Sequence, residues 1–235
     1  MKWRKLLILS EKQIHQRSAH FRGQISGVLK YFAVDLPALT AAELSGLNYR
    51  RAHRLYELLR QRVVALALRE GQEFTGEVEI DESYFGARRV RSKRGRGAAG
   101  KVPVIGLHKR GHNLYVSVVK NCSAQELWPI ITGRVLEGSD IYTDGWKAYD
   151  GLVLGGYQHH RIHHHDNEFA RGKNHVNGIE SFWSYAKFRF LKLRGVRKDR
   201  FLLHLKECEW RFNHRRSNLY PFLLSNLRHS PLSAT

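Results

Sequence analysis

The order of apolar and polar positions divides the chain into two regions of different period. Up to about residue 70 the spacing is helical: Ala52, Leu55, Leu59 and Val63 recur on one face of a helix predicted over residues 49–68. Thr40-Ala41-Ala42-Glu43 has the form of a capping box and predicts a short helix to Ser45. Gly46 then supplies a turn and Asn48 caps the helix that follows. From Glu77 the period falls to two. Glu77-Val78-Glu79-Ile80-Asp81 alternates strictly, the mark of a half-buried strand. Residues 102–107 and 113–119 predict two more strands, joined by a Lys109-Arg110-Gly111-His112 hairpin. A second capping box, Ser123-Ala124-Gln125-Glu126, opens a helix with Leu127, Trp128, Ile130 and Ile131. Residues 140–143 predict a strand that delivers Asp144 at its end, and residues 157–163 a fifth strand. A long helix starts at Asn177 or Gly178 and reaches about Leu193. Its apolar stripe is Ile179, Phe182, Trp183, Ala186, Phe190 and Leu193. A helical start followed by three strands, a helix, two strands and a helix describes a mixed α/β chain.

Composition narrows the class of partner. Of 235 residues, 40 are Lys or Arg and 21 Asp or Glu, a formal net charge of +19. A hydrophobic content of 42% excludes a disordered basic tail, because such a chain buries a core. The charge therefore implies a polyanionic partner, nucleic acid or an anionic membrane surface. No run approaches the roughly eighteen apolar residues of a membrane span. Met1-Lys2-Trp3-Arg4-Lys5 precedes an apolar stretch of only Leu6 to Leu9, too short for a signal peptide. Cys122 and Cys208 are the two cysteines, which excludes a disulfide framework or a four-cysteine zinc site. The expectation is a reduced, cytoplasmic, nucleic-acid-binding protein.

The charge is unevenly spread. Residues 1–35 hold seven basic and two acidic side chains, and residues 76–87 hold four acids and no base. Residues 88–101 carry Arg88, Arg89, Arg91, Lys93, Arg94, Arg96 and Lys101 with no acid. Such a basic loop after the first strand suits DNA phosphates, the alternative being a solvated run. Arg50, Arg51 and Arg54 open the second predicted helix, which with its predecessor fits a helix-turn-helix. An ordinary helical hairpin with solvated arginines is the other reading. Gly95-Arg96-Gly97-Ala98-Ala99-Gly100 satisfies a dinucleotide fingerprint in form. It leads into a strand instead of a helix, so the phosphate-binding helix terminus is missing, and Val102 likewise breaks a P-loop reading. His159, His160, His163, His164 and His165 form a cluster read as strand and loop histidines and not as a zinc site.

Three carboxylates stand at predicted element positions: Asp81 in the first strand, Asp144 at the end of the fourth, and Glu180 in the first turn of the late helix. Spacing by itself decides little, since Asp144 to Glu180 and Glu43 to Glu79 are equally separated. Glu180 and Lys187, seven apart, share the flank of the apolar stripe. On helix pattern alone they make a solvated pair. Taken with their surroundings, these segments resemble a known family. Val78-Glu79-Ile80-Asp81-Glu82-Ser83-Tyr84-Phe85-Gly86, Ile141-Tyr142-Thr143-Asp144-Gly145 and His175-Val176-Asn177-Gly178-Ile179-Glu180-Ser181-Phe182-Trp183 resemble the three acidic motifs of bacterial insertion-sequence DDE transposases. The basic segment 94–101, the late Leu205-Lys206-Glu207-Cys208-Glu209-Trp210-Arg211-Phe212-Asn213 and Lys187 are similar to the same group.

The resemblance spans roughly residues 75–216 and implies a ribonuclease H-like mixed five-stranded sheet with flanking helices. It implies a catalytic domain over residues 75–235, and the helical pattern before it, with its helix-turn-helix reading, makes residues 1–74 the expected helical DNA-binding region. Asp81, Asp144 and Glu180 become catalytic, metal-binding carboxylates, because clustered acids repel unless cations lie between them and hard Mg²⁺, or Mn²⁺ in its place, suits oxygen ligands. Two ions are expected, serving DNA cleavage at element ends and strand transfer into target DNA, and Lys187 would hold DNA beside them. Bringing two element ends together implies a dimer or larger assembly on DNA. A related nuclease or resolvase, and a non-catalytic DNA-binding regulator, are the alternatives. The cysteine-rich zinc ribbon of many relatives is absent from the sequence.

Overall fold

Strand β1 (Glu77–Phe85) begins where the alternation begins and runs four residues beyond Asp81. It lies at the centre of a sheet completed by β2 (Val102–Lys109), β3 (Leu114–Val118), β4 (Asp140–Asp144) and β5 (Gln158–Ile162). The computed structural model describes residues 19–71, 73–86, 101–144, 147–162, 177–193 and 195–229. The strand order is β3-β2-β1-β4-β5. β1, β2 and β3 pair antiparallel, whereas β1–β4 and β4–β5 pair parallel. That mixed order, with helices on both faces, is the ribonuclease H-like architecture. The hairpin of β2 and β3 turns at Gly111 (φ 73°), with His112 N–H donating to Lys109 O at 2.9 Å.

The half-buried expectation for β1 is corrected, because both faces are covered. Val78 and Ile80 enter one core with Ile105, Leu107, Ile141 and the helix α4 (Ala124–Thr132) residues Leu127 and Ile131. The opposite face lies under α5 (Asn177–Lys192) and α6 (Lys198–Asn213), where Phe85, Val104, Val116, Ile179, Phe182, Trp183 and Leu205 pack. Glu79, on that second face, is only 1% exposed. Alternation at β1 thus separates apolar from acidic positions, both of them buried, since the covering helix comes from a hundred residues later.

The N-terminal helices are α1 (Ala19–Ala33), α2 (Ala38–Ser45) and α3 (Tyr49–Arg69). Gly46 takes the left-handed conformation (φ 65°) that ends α2, and Asn48 Oδ1 accepts the Arg50 N–H at 2.9 Å to start α3, both as the sequence predicts. Neither capping box forms. α2 starts earlier, after an extended Pro37 that sets the backbone without a side-chain bond, and Ser123 makes no side-chain cap at α4. Asn121 Oδ1 accepts the Ser123 N–H instead, and Glu126 pairs with Lys120 at 3.6 Å.

Helices α6 and α7 (Leu219–His229) are not evident from the apolar pattern, yet they carry much of the assembly. Trp210 and Leu223 share a core with Val28, Phe32, Tyr56, Leu59 and Val63, so the N-terminal helices pack directly on the late ones. On the far side α6 closes the open edge of β3. Asn213 accepts the Leu114 N–H at 2.8 Å and returns an N–H to Leu114 O at 2.9 Å, while Glu209 accepts the Val116 N–H at 2.8 Å. No helix among the described residues is long and apolar enough to cross a membrane.

Candidate active site

Register brings the first two acids together. β1 and β4 run parallel with Glu77 beside Asp140, Val78 beside Ile141 and Glu79 beside Tyr142. Two residues further along each strand, Asp81 and Asp144 fall on the same face of neighbouring strands, whose axes are about 4.8 Å apart. Helix α5 lies across that face and contributes Glu180 from its first turn.

Three features seat α5. Gly106, the partner of Asp81 on β2, leaves a notch: a methyl group there would stand 2.6 Å from Ile179 Cδ1 and 2.7 Å from Trp183 Cζ2. Glu79 Oε2 accepts the Ile179 N–H at 2.9 Å, satisfying one of the unpaired donors at the start of the helix and facing its positive end. Gly178 lets the chain pass His108, since a methyl there would lie 2.2 Å from His108 Cε1. Burial alone would raise the Glu79 carboxyl, but bonds from His108, the Ile179 N–H and Arg110 hold it below the ordinary value. Arg110 Nε donates to Glu79 Oε1 at 3.1 Å, and its guanidinium lies 3.7 Å from the Tyr142 ring centroid.

Asp81 stands in the opposite condition. Burial raises its pKa from 3.8 to about 6, and the like charges of Asp144 and Glu180 add to the rise. The Glu82 N–H, donating to Oδ1 at 2.8 Å, and Trp183 Nε1, donating to Oδ2 at 3.0 Å, oppose it only in part. The buried Tyr149 hydroxyl donates to Glu82 and is itself raised by burial, by Glu82 and by the charges of Asp81 and Asp144. Asp81 therefore lies within electrostatic reach of both Asp144 and Glu180. Among the described residues no three His, Cys, Asp or Glu side chains are already gathered tightly enough to ligate an ion. Glu180 is exposed in the first turn of α5. An all-carboxylate donor set with a repelled, partly buried Asp81 fits a hard divalent cation, which would reverse the repulsion.

Lys187 follows Glu180 by two helical turns and is exposed, as the flank position predicts. Arg50 and Arg51 are exposed at the start of α3, and Arg54 pairs with Glu57 at 3.6 Å. Lys101 is exposed just before β2, whereas Arg88, Arg89, Lys93, Arg94 and Arg96 lie outside the described residues. His159 and His160 bind within the sheet, Nε2 to Thr143 Oγ1 at 2.8 Å and Nε2 to Asp140 Oδ1 at 2.7 Å, and His163, His164 and His165 lie outside the described residues. Cys122 and Cys208 are buried thiols that form no disulfide, Cys122 accepting the Tyr84 hydroxyl at 3.2 Å, and burial pushes the Cys208 thiol up to about 11. Glu79 and Trp183 touch the site although no motif marks them as functional. Strand alternation does place Glu79 on the Asp81 face, but it cannot distinguish a structural from a catalytic acid.

A ribonuclease H-like sheet with acids on β1, β4 and a helix crossing them defines a class of nucleic-acid-processing folds. Comparison with known proteins narrows it. Residues 73–213 match the ISXO2-like transposase domain. The chain is 44% identical over 100 residues to a transposase-like protein of Haemophilus influenzae, covering 43% of this chain and 80% of that protein. It is 34% identical over 152 residues to a protein in transposable element ISH50 of Halobacterium salinarum, covering 58% of this chain and 52% of that one, about half its length. This chain belongs to the ISXO2-like transposase family.

Proposed function

We propose that the chain is a transposase that cleaves DNA at the ends of a mobile element and joins the freed 3′ ends to target DNA. What supports this reading is the placement of Asp81 and Asp144 on the same face of paired strands, with Glu180 on the helix crossing them and both Asp144 and Glu180 adding to the rise that burial imposes on Asp81. Asp81, Asp144 and Glu180 would hold Mg²⁺, with Mn²⁺ as a substitute. When bound there, such ions would supply the Lewis-acid chemistry of a phosphodiester displacement, polarising the attacking and leaving oxygens. Water as nucleophile gives cleavage, and a 3′-hydroxyl gives joining, so one centre serves both steps. Lys187, two turns along α5, places an ammonium where it can hold a DNA phosphate beside the acids. Arg50, Arg51 and Arg54 on α3, together with Lys101 and the basic residues Arg88, Arg89, Lys93, Arg94 and Arg96, would supply sequence-independent contacts to DNA phosphates. Joining two ends calls for at least two copies of the chain on DNA.

The test is strand cleavage and joining on labelled duplexes made from the DNA flanking the coding region, with and without Mg²⁺. Cleavage requiring the ion, and a fall of several orders of magnitude in Asp144→Asn, is the expected result. Equal activity in the wild type and Asp144→Asn would remove Asp144 from the mechanism.

A further inference from the structure

Trp183 is 5% exposed, yet its one polar atom is spent on a carboxylate and not on the solvent. Its Nε1 donates to Asp81 Oδ2 at 3.0 Å, while Asp81 Oδ1 takes the N–H of Glu82 at 2.8 Å. Each oxygen of Asp81 thus has its own donor, and the two together fix the plane of the carboxylate. The indole cannot turn away. It fills the notch over Gly106, and its ring stands 5.1 Å from Phe182 and 6.0 Å from Phe85 between centroids. Trp183 also follows Glu180 by three residues on α5, so one helical turn joins the Asp81 carboxylate to the backbone that carries Glu180.

We propose that Trp183 is the positioning residue of the acidic site, its indole N–H holding Asp81 in the orientation from which it and Glu180 receive a divalent cation. The inference rests on the proposed function and adds to it a residue outside the acidic triad. Hydrogen bonds to a ligating carboxylate set its direction, and their loss typically costs 10–100-fold in metal affinity or activity. An indole is a donor only, so Trp183 can hold the carboxylate but can take no proton from the reaction.

The experiment titrates Mn²⁺ into the full chain, following the free ion by electron paramagnetic resonance, in the wild type, Asp81→Asn and Trp183→Phe. A fourth protein carries β-(3-benzothienyl)alanine at position 183, which keeps the ring outline of tryptophan without its N–H and answers for any folding defect of the phenylalanine variant. Both donor-less proteins should bind Mn²⁺ about 10–100-fold more weakly than the wild type. In DNA cleavage kcat should fall while KM for DNA stays unchanged. Wild-type Mn²⁺ affinity in both donor-less proteins, with Asp81→Asn defective, would overturn the role of Trp183 and leave the acidic site standing. Identical binding by the wild type and Asp81→Asn would overturn the metal-site reading itself, and this inference with it.

Discussion

At position 178 the smallest side chain is a requirement of space. Gly178 has no left-handed backbone to justify it; a methyl there would meet His108 at 2.2 Å and Glu79 Oε2 at 2.8 Å. His108 is 5% exposed, lies 3.3 Å from Glu79 Oε2 through Nδ1, and packs edge-on to Phe212, so it has little room to yield. Alanine would raise helix propensity by up to about 1 kcal/mol. Overpacking a buried contact of this kind costs about 1–3 kcal/mol and is expected to win. Gly178→Ala should therefore lower the free energy of unfolding in urea and, by lifting the start of α5, weaken cleavage. Adding His108→Ala should restore part of the loss, giving a non-additive double-mutant cycle. Additivity within about half a kcal/mol would mean that the two residues do not meet as described.

Elements differ in how openly the sequence announces them. β4 with Asp144 at its end, the β2–β3 hairpin and α5 from Asn177 are all legible, because each has a local period and a local stop signal. The capping boxes at Thr40 and Ser123 mislead because capping is a competition. An extended Pro37 starts α2 ahead of Thr40 without any side-chain cap, and the Asn121 side chain takes the Ser123 N–H that the second box would have bound. The acid positions are legible as a resemblance, whereas the means of seating them, Glu79 under the start of α5 and Trp183 on Asp81, depends on contacts across a hundred residues. Segment 205–213 is recognisable by similarity without a task. Its task is partly at the edge of the sheet, where Asn213 imitates a further strand against Leu114. Removing both of those bonds by Asn213→Ala leaves two backbone groups of a buried residue without their partner. A loss of about 1–3 kcal/mol is expected in denaturant unfolding. Aggregation of the exposed edge should increase, visible by light scattering. An unchanged midpoint would show that water satisfies Leu114 equally well.

Across the whole molecule, one buried carboxylate ties the N-terminal helices to α5, the helix that carries Glu180. Glu207 on α6 is wholly buried; its Oε1 accepts from Arg189 of α5 at 2.6 Å and Arg211 at 2.9 Å, and its Oε2 from Arg60 of α3 at 2.8 Å. Arg189 also binds Asp35, and Arg211 donates to the carbonyls of Phe32 and Ala33 that end α1. Burial would raise the Glu207 carboxyl, but the three guanidiniums hold it far below the usual carboxylate range. Neutralising it strands buried positive charge, so Glu207→Gln should cost about 3–5 kcal/mol at pH 7. The sign of the pH dependence follows from the depressed value. Stabilisation by the ionised group is complete above the unfolded pKa of about 4.5 and is lost as pH falls toward the folded value, because the unfolded chain takes up the proton first. Each unit below 4.5 removes about 1.4 kcal/mol, hence roughly 2 kcal/mol by pH 3. The gap in unfolding free energy between the wild type and Glu207→Gln should therefore narrow by about that much from pH 7 to pH 3. Urea titrations at both pH values measure it. A gap that stays constant would mean that packing, and not charge, joins the N-terminal helices to the helix that carries Glu180.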